Sequence, residues 1–588
     1  MAESIISPGV YTRENDISYI TPAPIQAGAA FVGPTVKGPD NQPLIVTSYS
    51  DYVRKFGETF LSASNKQYEF LTSVAVKNYF QNGGQTAIVT RIVSGTYSGA
   101  QTTFISASAK GSTEPFTLTT LGKGVGYNNA TGQFSATASN AAYNNTDGSL
   151  VSGSADNLRW EIANVNNALG SFSVIIRQGD DSTNNKTILE TFNVNLDPNS
   201  DNYIEKVIGN QYITVGTDGT TSYNYPVGEY PNASNYVRVS GVNLPTNYYL
   251  SNDGVTVNRD GVGVSYSGSL PQSGSGSFYN ASGAVTSSAV FFNNITNTSV
   301  NTQGLVASNY NVALSLLANK DEYQFNIIST PGLLYGNSNF TSTVNSFIAL
   351  AEDRGDCIAV VDLVQTGSTV SQVTGQAASL NSSYAATYWP WLQIKSATGR
   401  NEWTPAGTVI PGVYAFTDAS SAPWFAPAGL VRGGIGGVIQ AERKLTKGDR
   451  DTLYSAKVNP IATFPGSGIS VFGQKTLQTK ASALDRVNVR RLLIELKKFI
   501  GDQARNLVFE QNTIATRNKF LATVNPYLES VVQRQGLYAY RVVMDDTNNT
   551  ADVVDRNQLV GQIFIQPAKT IEFVVLDFTI EPTGATFG

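Results

Sequence analysis

The chain has 588 residues, 41% of them hydrophobic and 10% aromatic, with only 14% charged and a net charge of −5. That length accommodates several domains with cores of their own, and the composition excludes a disordered chain. With no histidine and a single cysteine, Cys357, the chain cannot build a Ser-His-Asp or Cys-His nucleophile system, a His-ligated metal site or an internal disulfide. The expectation is a structural protein rather than an enzyme, with no cofactor and no metal. A single cysteine suits a reducing cytoplasm. The start "MAESIISPGV" has no basic or long apolar region of the secretory kind, and no apolar run is long enough to span a membrane.

Near the start, "SPGVYTREND" predicts a lone strand over Gly9, Val10, Tyr11, Thr12 and Arg13, followed by the proline-broken run "TPAPIQAG". A strand needs a partner for its backbone groups, and this one has none nearby in sequence. From Phe31 the pattern is compact α/β. "AAFVG" and "LIVTS" are short strands, and "YSDYVRKFG" is a short amphipathic helix or turn. A helix is expected where Tyr68, Leu71, Ala75 and Tyr79 recur at helical spacing, stopped by Asn82-Gly83-Gly84, and "TAIVTRIV" is a further strand.

After Ser94 the character changes. To about Asn319 the chain is dominated by Gly, Ser, Thr, Asn and Tyr, and Leu250–Asn319 holds only Asp253, Arg259 and Asp260 as charges. Short alternating runs such as "FSVIIRQ" and "YVRVSG" predict one or two β-domains inserted in the α/β unit and facing outward. The tyrosines there also suit glycan binding, although a β-core accounts for them equally. Alternation of helix and strand resumes with "YQFNIIST", "TVNSFIALAEDRG", "CIAVVDLV", "SQVTGQAASLN" and "AATYWPWLQI" and runs to about Lys475. A last unit begins at Gln478, with helices first and strands last.

Several motifs read best as plain structure. "RGGIGGVIQ" has Val438-Ile439 where a phosphate loop needs its lysine and hydroxyl, so it is a glycine turn. The Arg354–Asp356 tripeptide "RGD" is a turn with a charge pair. "FPGSGIS" has Pro465 in place of the first glycine of a nucleophile elbow. Asp180-Asp181 and "MDDTNNTADVVD" resemble calcium loops only loosely, the latter with Arg556 where the bidentate glutamate belongs.

The strongest local signal lies in "ALDRVNVRRLLIELKKFIGDQARNLVFEQN". Val489, Leu492, Leu493, Leu496, Ile500 and Leu507 share one helical face, while Arg486, Arg490, Arg491, Lys497, Lys498 and Arg505 occupy another arc. From Gln478 to Phe520 nine basic residues face four acidic ones, a local +5 in an acidic chain. The arc is either a solvated face or the seat of an anionic partner.

"SPGVYTREND", "FGETF", "VKNYFQNGGQTAIVTRIV", "AEDRGDCIAVVDL", "WPWLQI" with "WTPAGTVIPGVYAFTD", "VNVRRLLIELKKFI" and the closing "DDTNNTADVVDRNQLVGQIFIQPAKTIEFVVLDFTI" occur in order. Together they resemble the contractile tail sheath proteins of bacteriophages over roughly residues 1–95 and 320–588. The resemblance implies stacked hexameric rings around an inner tail tube, with baseplate and tail terminator proteins as further partners and neither nucleic acid nor a membrane anchor. It places the protein in the virion, assembled in the host cytoplasm. The α/β body is implied to be subtilisin-like and non-catalytic. The expected organisation is an N-terminal arm (1–22), the α/β unit (23–95 and 319–477), the β insert (96–318), a tube-facing α+β domain (478–566) and a C-terminal arm (567–588). The six basic residues of the arc would then meet an acidic tube. The two arms would exchange strands between subunits, through Gly9–Arg13 and through Ile571, Glu572, Phe573, Val574, Val575, Leu576, Asp577 and Phe578. A phage-like injection system, or a β-rich adhesin that holds glycans through residues 96–318, is the alternative.

Overall fold

The computed structural model describes residues 25–61, 67–93, 99–102, 107, 113–123, 134–135, 147–150, 153–219, 221–261, 263–279 and 310–572. Its spine is an eight-stranded sheet in the order Pro43–Val46, Ala87–Arg91, Ile25–Gly33, Tyr323–Leu334, Ile358–Asp362, Ala385–Trp389, Asn459–Phe464 and Gly468–Val471. The six inner strands run parallel and the two edge strands antiparallel. Parallel strands buried on both faces must be apolar throughout, which is why Ala87–Arg91, Ile358–Asp362 and Ala385–Trp389 are buried at every position.

The chain enters this sheet at its middle and winds outward in both directions. The step to Ala87–Arg91 carries the helix Leu71–Gln81 on one face, packed with the helix Ile410–Ser420. The steps in the other direction carry Thr341–Arg354 and Val370–Ala378 on the opposite face. Right-handed crossovers taken in opposite directions demand opposite faces. Most expected helices and strands are present, with two local differences. Tyr68 lies in the strand Gln67–Glu69, so the helix starts at Leu71. The run "AATYWPWLQI" is two strands, Ala385–Trp389 and Leu392–Lys395, because Pro390 has no N–H for the ladder.

The charge pair expected at Arg354 is present, and it faces inward. The helix Thr341–Arg354 closes on Gly355 at φ 68°, and Arg354 meets Asp356 at 2.8 Å. Its guanidinium also donates to the carbonyl of Tyr323 at 2.7 Å and lies 4.2 Å over the Phe325 ring.

The insert occupies the connection between Ala87–Arg91 and Tyr323–Leu334. Its main sheet is antiparallel, in the order Ile188–Asn195, Ser171–Gln178, Leu158–Asn166, Gly274–Tyr279, Gly99–Thr102, Phe116–Lys123 and Val237–Val242. Trp160, Phe116, Phe172 and Phe278 fill a single core there, with the Phe116 and Phe172 rings stacked at 5.5 Å. The expected boundary at 318 moves back. The helix Asn311–Leu317 sits in the α/β unit, with Tyr310, Ala313 and Leu317 in its core.

One polar cluster lies inside the insert. Arg177 faces Arg159 across the strand pair, and both side chains are 2% exposed. Asp181 stands between them. It accepts from Arg177 Nε at 2.6 Å and Nη2 at 2.8 Å, and from Arg159 Nη1 at 3.1 Å. Glu161 takes the remaining Arg177 nitrogen at 2.8 Å. Of the acidic pair read as loosely calcium-like, Asp181 holds the two arginines and Asp180 accepts from Gln178 Nε2 at 2.9 Å. Among the described residues, no group of three or more His, Cys, Asp or Glu is placed to bind an ion.

Candidate assembly surfaces

The basic arc lies on the helix Val487–Arg505, which has two cores to serve. Val487 and Ile494 enter the core on one face of the α/β sheet. Leu492 and Leu496 point the other way, into a core shared with the helix Ile514–Gln533 and the strands Leu537–Val543 and Gln562–Pro567. At 100° per residue, Arg490, Arg491, Lys498 and Arg505 fall on the same side as Val487 and Ile494. Around Arg490 and Arg491 that side faces the chain's own α/β unit, while further along it Lys498 is half-buried and Arg505 exposed.

For Arg490 and Arg491 the expectation of a tube-facing arc is corrected accordingly. Arg490 is buried; it donates to the Ser383 carbonyl at 3.2 Å and to Ser383 Oγ at 2.5 Å, and stacks 3.9 Å from the Tyr384 ring centre. Arg491 is buried too. Its Nη2 reaches both Asp418 oxygens, at 2.7 and 2.5 Å, and its guanidinium lies 4.6 Å over Tyr414. Arg505 pairs with Asp321 at 2.7 Å, and Arg486 pairs with Asp485 at 2.9 Å. The carboxylates that Arg486, Arg491 and Arg505 meet, and the Ser383 groups that Arg490 meets, all belong to this chain. Lys497 is exposed, with its ammonium 3.2 Å from Tyr384 Oη, and Lys498 is half-buried.

The second surface is the start of the C-terminal arm. The strands Leu537–Val543 and Gln562–Pro567 form a two-stranded antiparallel ribbon. Tyr540, Val542, Ile563 and Ile565 lie against the core, and Tyr538 and Phe564 are exposed. Among the described residues both long edges of the ribbon carry no further strand. After Pro567 the chain turns back across the α/β unit. Thr570 Oγ1 accepts from Gln474 at 2.6 Å. Glu572 is gripped from three sides, by Arg486 Nε and Nη2 at 2.6 and 3.0 Å, Tyr454 Oη at 2.9 Å and Gln474 Nε2 at 3.1 Å.

Ile571 and Glu572 were expected to begin an exchanged strand. Neither lies in a strand, and Glu572 is anchored within its own subunit while Ile571 is exposed. Phe573–Phe578, like Gly9–Arg13, lie outside the described residues. Sequence reading missed the anchor because Tyr454, Gln474 and Arg486 are scattered over more than thirty residues and carry no motif.

Partial burial alone would raise the Glu572 carboxyl. The hydrogen bonds from Arg486 and Tyr454 outweigh it and hold the group below its ordinary range. A depressed carboxyl contributes its stability above the unfolded value and loses it as the pH falls through the folded one. The anchor is thus complete at neutral pH and is expected to release below the ordinary glutamate value of about 4.3. At neutral pH Glu572→Gln should mimic that release, and tryptic cleavage after Lys569 should quicken without any change in global unfolding. Equal cleavage rates in both proteins would show that the anchor does not hold the arm.

The comparisons with known proteins bear on this same half of the chain. Residues 286–477 match the phage tail sheath protein central domain, and residues 479–581 match the phage tail sheath C-terminal domain. The tail sheath protein of Vibrio phage KVP40 is 35% identical over 307 residues, 46% of each chain. That of Enterobacteria phage T4 is 37% identical over 230 residues, 39% of this chain and 35% of the relative. The chain thus aligns with less than half the length of each of these curated relatives. A sheath tail protein from Listeria innocua shares the fold, with a TM-score of 0.51 at 11% identity, covering 92% of this chain and 95% of that one. Among the described residues no helix is long and apolar enough to cross a membrane. With two sheath domains matched in series from residue 286 to residue 581, the chain belongs to the phage tail sheath protein family.

Proposed function

We propose that this chain is the structural subunit of a contractile tail sheath, polymerising as stacked hexameric rings around an inner tube and contracting to drive that tube through a cell envelope. The observation that carries the reading is the pair of sheath domains matched one after the other on a single chain. With no nucleotide loop in the sequence, the work comes from the lattice: an extended state held by tube and baseplate gives way to one with better subunit contacts. Baseplate and terminator proteins cap the stack. The doubly wound α/β sheet supports its reading as the family's subtilisin-like, non-catalytic body. The ribbon Leu537–Val543/Gln562–Pro567, whose two long edges carry no further strand among the described residues, is the receiving site for arm strands from neighbouring subunits, by β-augmentation.

Imaging of the purified chain by negative stain tests the proposal. Long hollow cylinders are the expected result; discrete trimers or monomers would overturn it. Contact with an acidic tube is assigned to Lys497 and Lys498, since the arginines of the arc are engaged within the subunit. An exposed pair contributes only about 0–1 kcal/mol, but every subunit of every ring repeats it. Reversing both lysines to glutamate should lower co-assembly with the tube and leave the unfolding temperature unchanged. Undiminished co-assembly would remove them from the tube contact.

A further inference from the structure

The hairpin of the insert, Tyr212–Asp218 paired with Thr221–Val227, carries a row of tyrosines on one face. Its register sets Tyr212 opposite Val227, Thr214 opposite Tyr225 and Gly216 opposite Tyr223. Residues opposite one another share a face, as do alternate residues along a strand. Tyr212, Tyr225 and Tyr223 therefore line the same side, and they are between 40% and 47% exposed. The Tyr223 and Tyr225 rings sit 5.7 Å apart. Gly216 leaves the room: a Cβ there would stand 2.7 Å from the Tyr223 ring. The opposite face turns toward the α/β unit, where Asn224 donates to the Asn41 carbonyl at 3.4 Å. Solvated tyrosines in a row serve no core.

At its Tyr212 end the row opens into a cleft of about 710 Å³ between the insert and the α/β unit. Arg54, Lys55, Lys123 and Arg238 line it; Asp51 pairs with Arg54 at 2.7 Å and Lys55 at 2.9 Å, and Asp40 with Lys123 at 3.0 Å, so among the described residues Arg238 is the lining cation that no carboxylate pairs. Arg238 is half-buried, and its guanidinium lies 4.3 Å over the Tyr212 ring. Asn235 and Gln211 bring carboxamides to the same walls. A cationic cleft on an acidic chain selects an anion. Flat aromatic rings beside amide donors suit the apolar faces and hydroxyls of a sugar ring.

We propose that the tyrosine row and the Arg238 cleft together form a binding site for an acidic polysaccharide, its sugar rings laid along Tyr223, Tyr225 and Tyr212 and a carboxylate held by Arg238. An acidic peptide would use the cations and leave the far tyrosines idle, so the continuous row favours the saccharide. Repetition of the site on a polymer of this chain would multiply a weak single contact by avidity.

The test uses the full-length chain immobilised on a sensor surface, which reads binding whether or not the chain has polymerised. The analytes are hexagalacturonate, the neutral maltohexaose and hexaglutamate. Hexagalacturonate is expected to bind, with maltohexaose and hexaglutamate clearly weaker. Arg238→Ala and the exposed double change Tyr223→Ser/Tyr225→Ser should each weaken hexagalacturonate by about fivefold or more. Thermal unfolding should be unchanged in the tyrosine variant, which keeps the test open if Arg238→Ala perturbs the edge strand. Absence of hexagalacturonate binding would overturn the proposal, as would binding that the tyrosine change leaves intact. Hexaglutamate bound as tightly, and lost only with Arg238, would also overturn it and mark an acidic-peptide site.

Discussion

Removal of residues 1–14 is expected to yield a soluble, folded subunit that forms no cylinders. The four principal apolar cores are built from residue 29 onward in the described structure, so the truncation should not shift the unfolding temperature. What it removes is the predicted strand Gly9–Arg13, whose proposed partner is an open ribbon edge on a neighbouring subunit. A backbone hydrogen bond contributes roughly 0.5–1.5 kcal/mol. A few per arm, made by every subunit, separate a polymer from a monomer at micromolar concentration. The prolines of "ENDISYITPAPIQ" disfavour helix, which suits the connector that strand exchange requires. Sedimentation and imaging of the truncated chain decide the matter. Coherent polymerisation and contraction without residues 1–14 would end the strand-exchange reading.

Asp181→Ala should have the largest effect on stability. The carboxylate is fully buried and lies between two guanidiniums that face each other across a strand pair. Removing one partner of a buried ion pair typically costs about 3–5 kcal/mol, since the remaining charge is left uncompensated. Here two guanidiniums lose the carboxylate they share, though Glu161 still holds Arg177. For a unit of this size the unfolding transition of the insert should fall on the order of 10 °C. The transition of the α/β sheet, which has separate cores, should stay in place. Replacing Arg159, Arg177 and Asp181 together by apolar residues should recover part of the loss. Scanning calorimetry separates the outcomes, and a single transition that shifts as a whole would show that the insert does not unfold as its own unit.

Periodicity located the elements of the α/β unit well because they are short, strongly patterned and punctuated. Ala87–Arg91 and Thr341–Arg354 stand out in the sequence for that reason. The basic arc was also legible as an arc. Its destination was not, because the groups that take up its charge, Ser383, Asp418 and Asp321, lie 107, 73 and 184 residues away. A charged face packed on the chain's own body and one left for a partner have the same periodicity. The insert's end was misplaced because Tyr310–Leu317, an apolar run, directly follows the polar stretch with no turn signal between them, and only packing assigns it to the α/β core. The Glu572 anchor joins four residues from separate segments, which no local pattern encodes. The tyrosine alternation in "TSYNYPV" was visible as letters, but the exposed side was decided by the docking of Asn224 and Ser222 onto the α/β unit.

The helix Val487–Arg505 carries a mechanical consequence. It is keyed into two cores on opposite flanks, and the joint is doubled where Trp424 enters the C-terminal core and donates to the Arg534 carbonyl at 3.0 Å. A torque applied to the C-terminal ribbon cannot turn it without dragging the eight-stranded sheet along. The described body of the subunit is thus stiff from ribbon to sheet. In the contractile lattice proposed above, such bodies would keep the shape of each unit constant as the whole changes length.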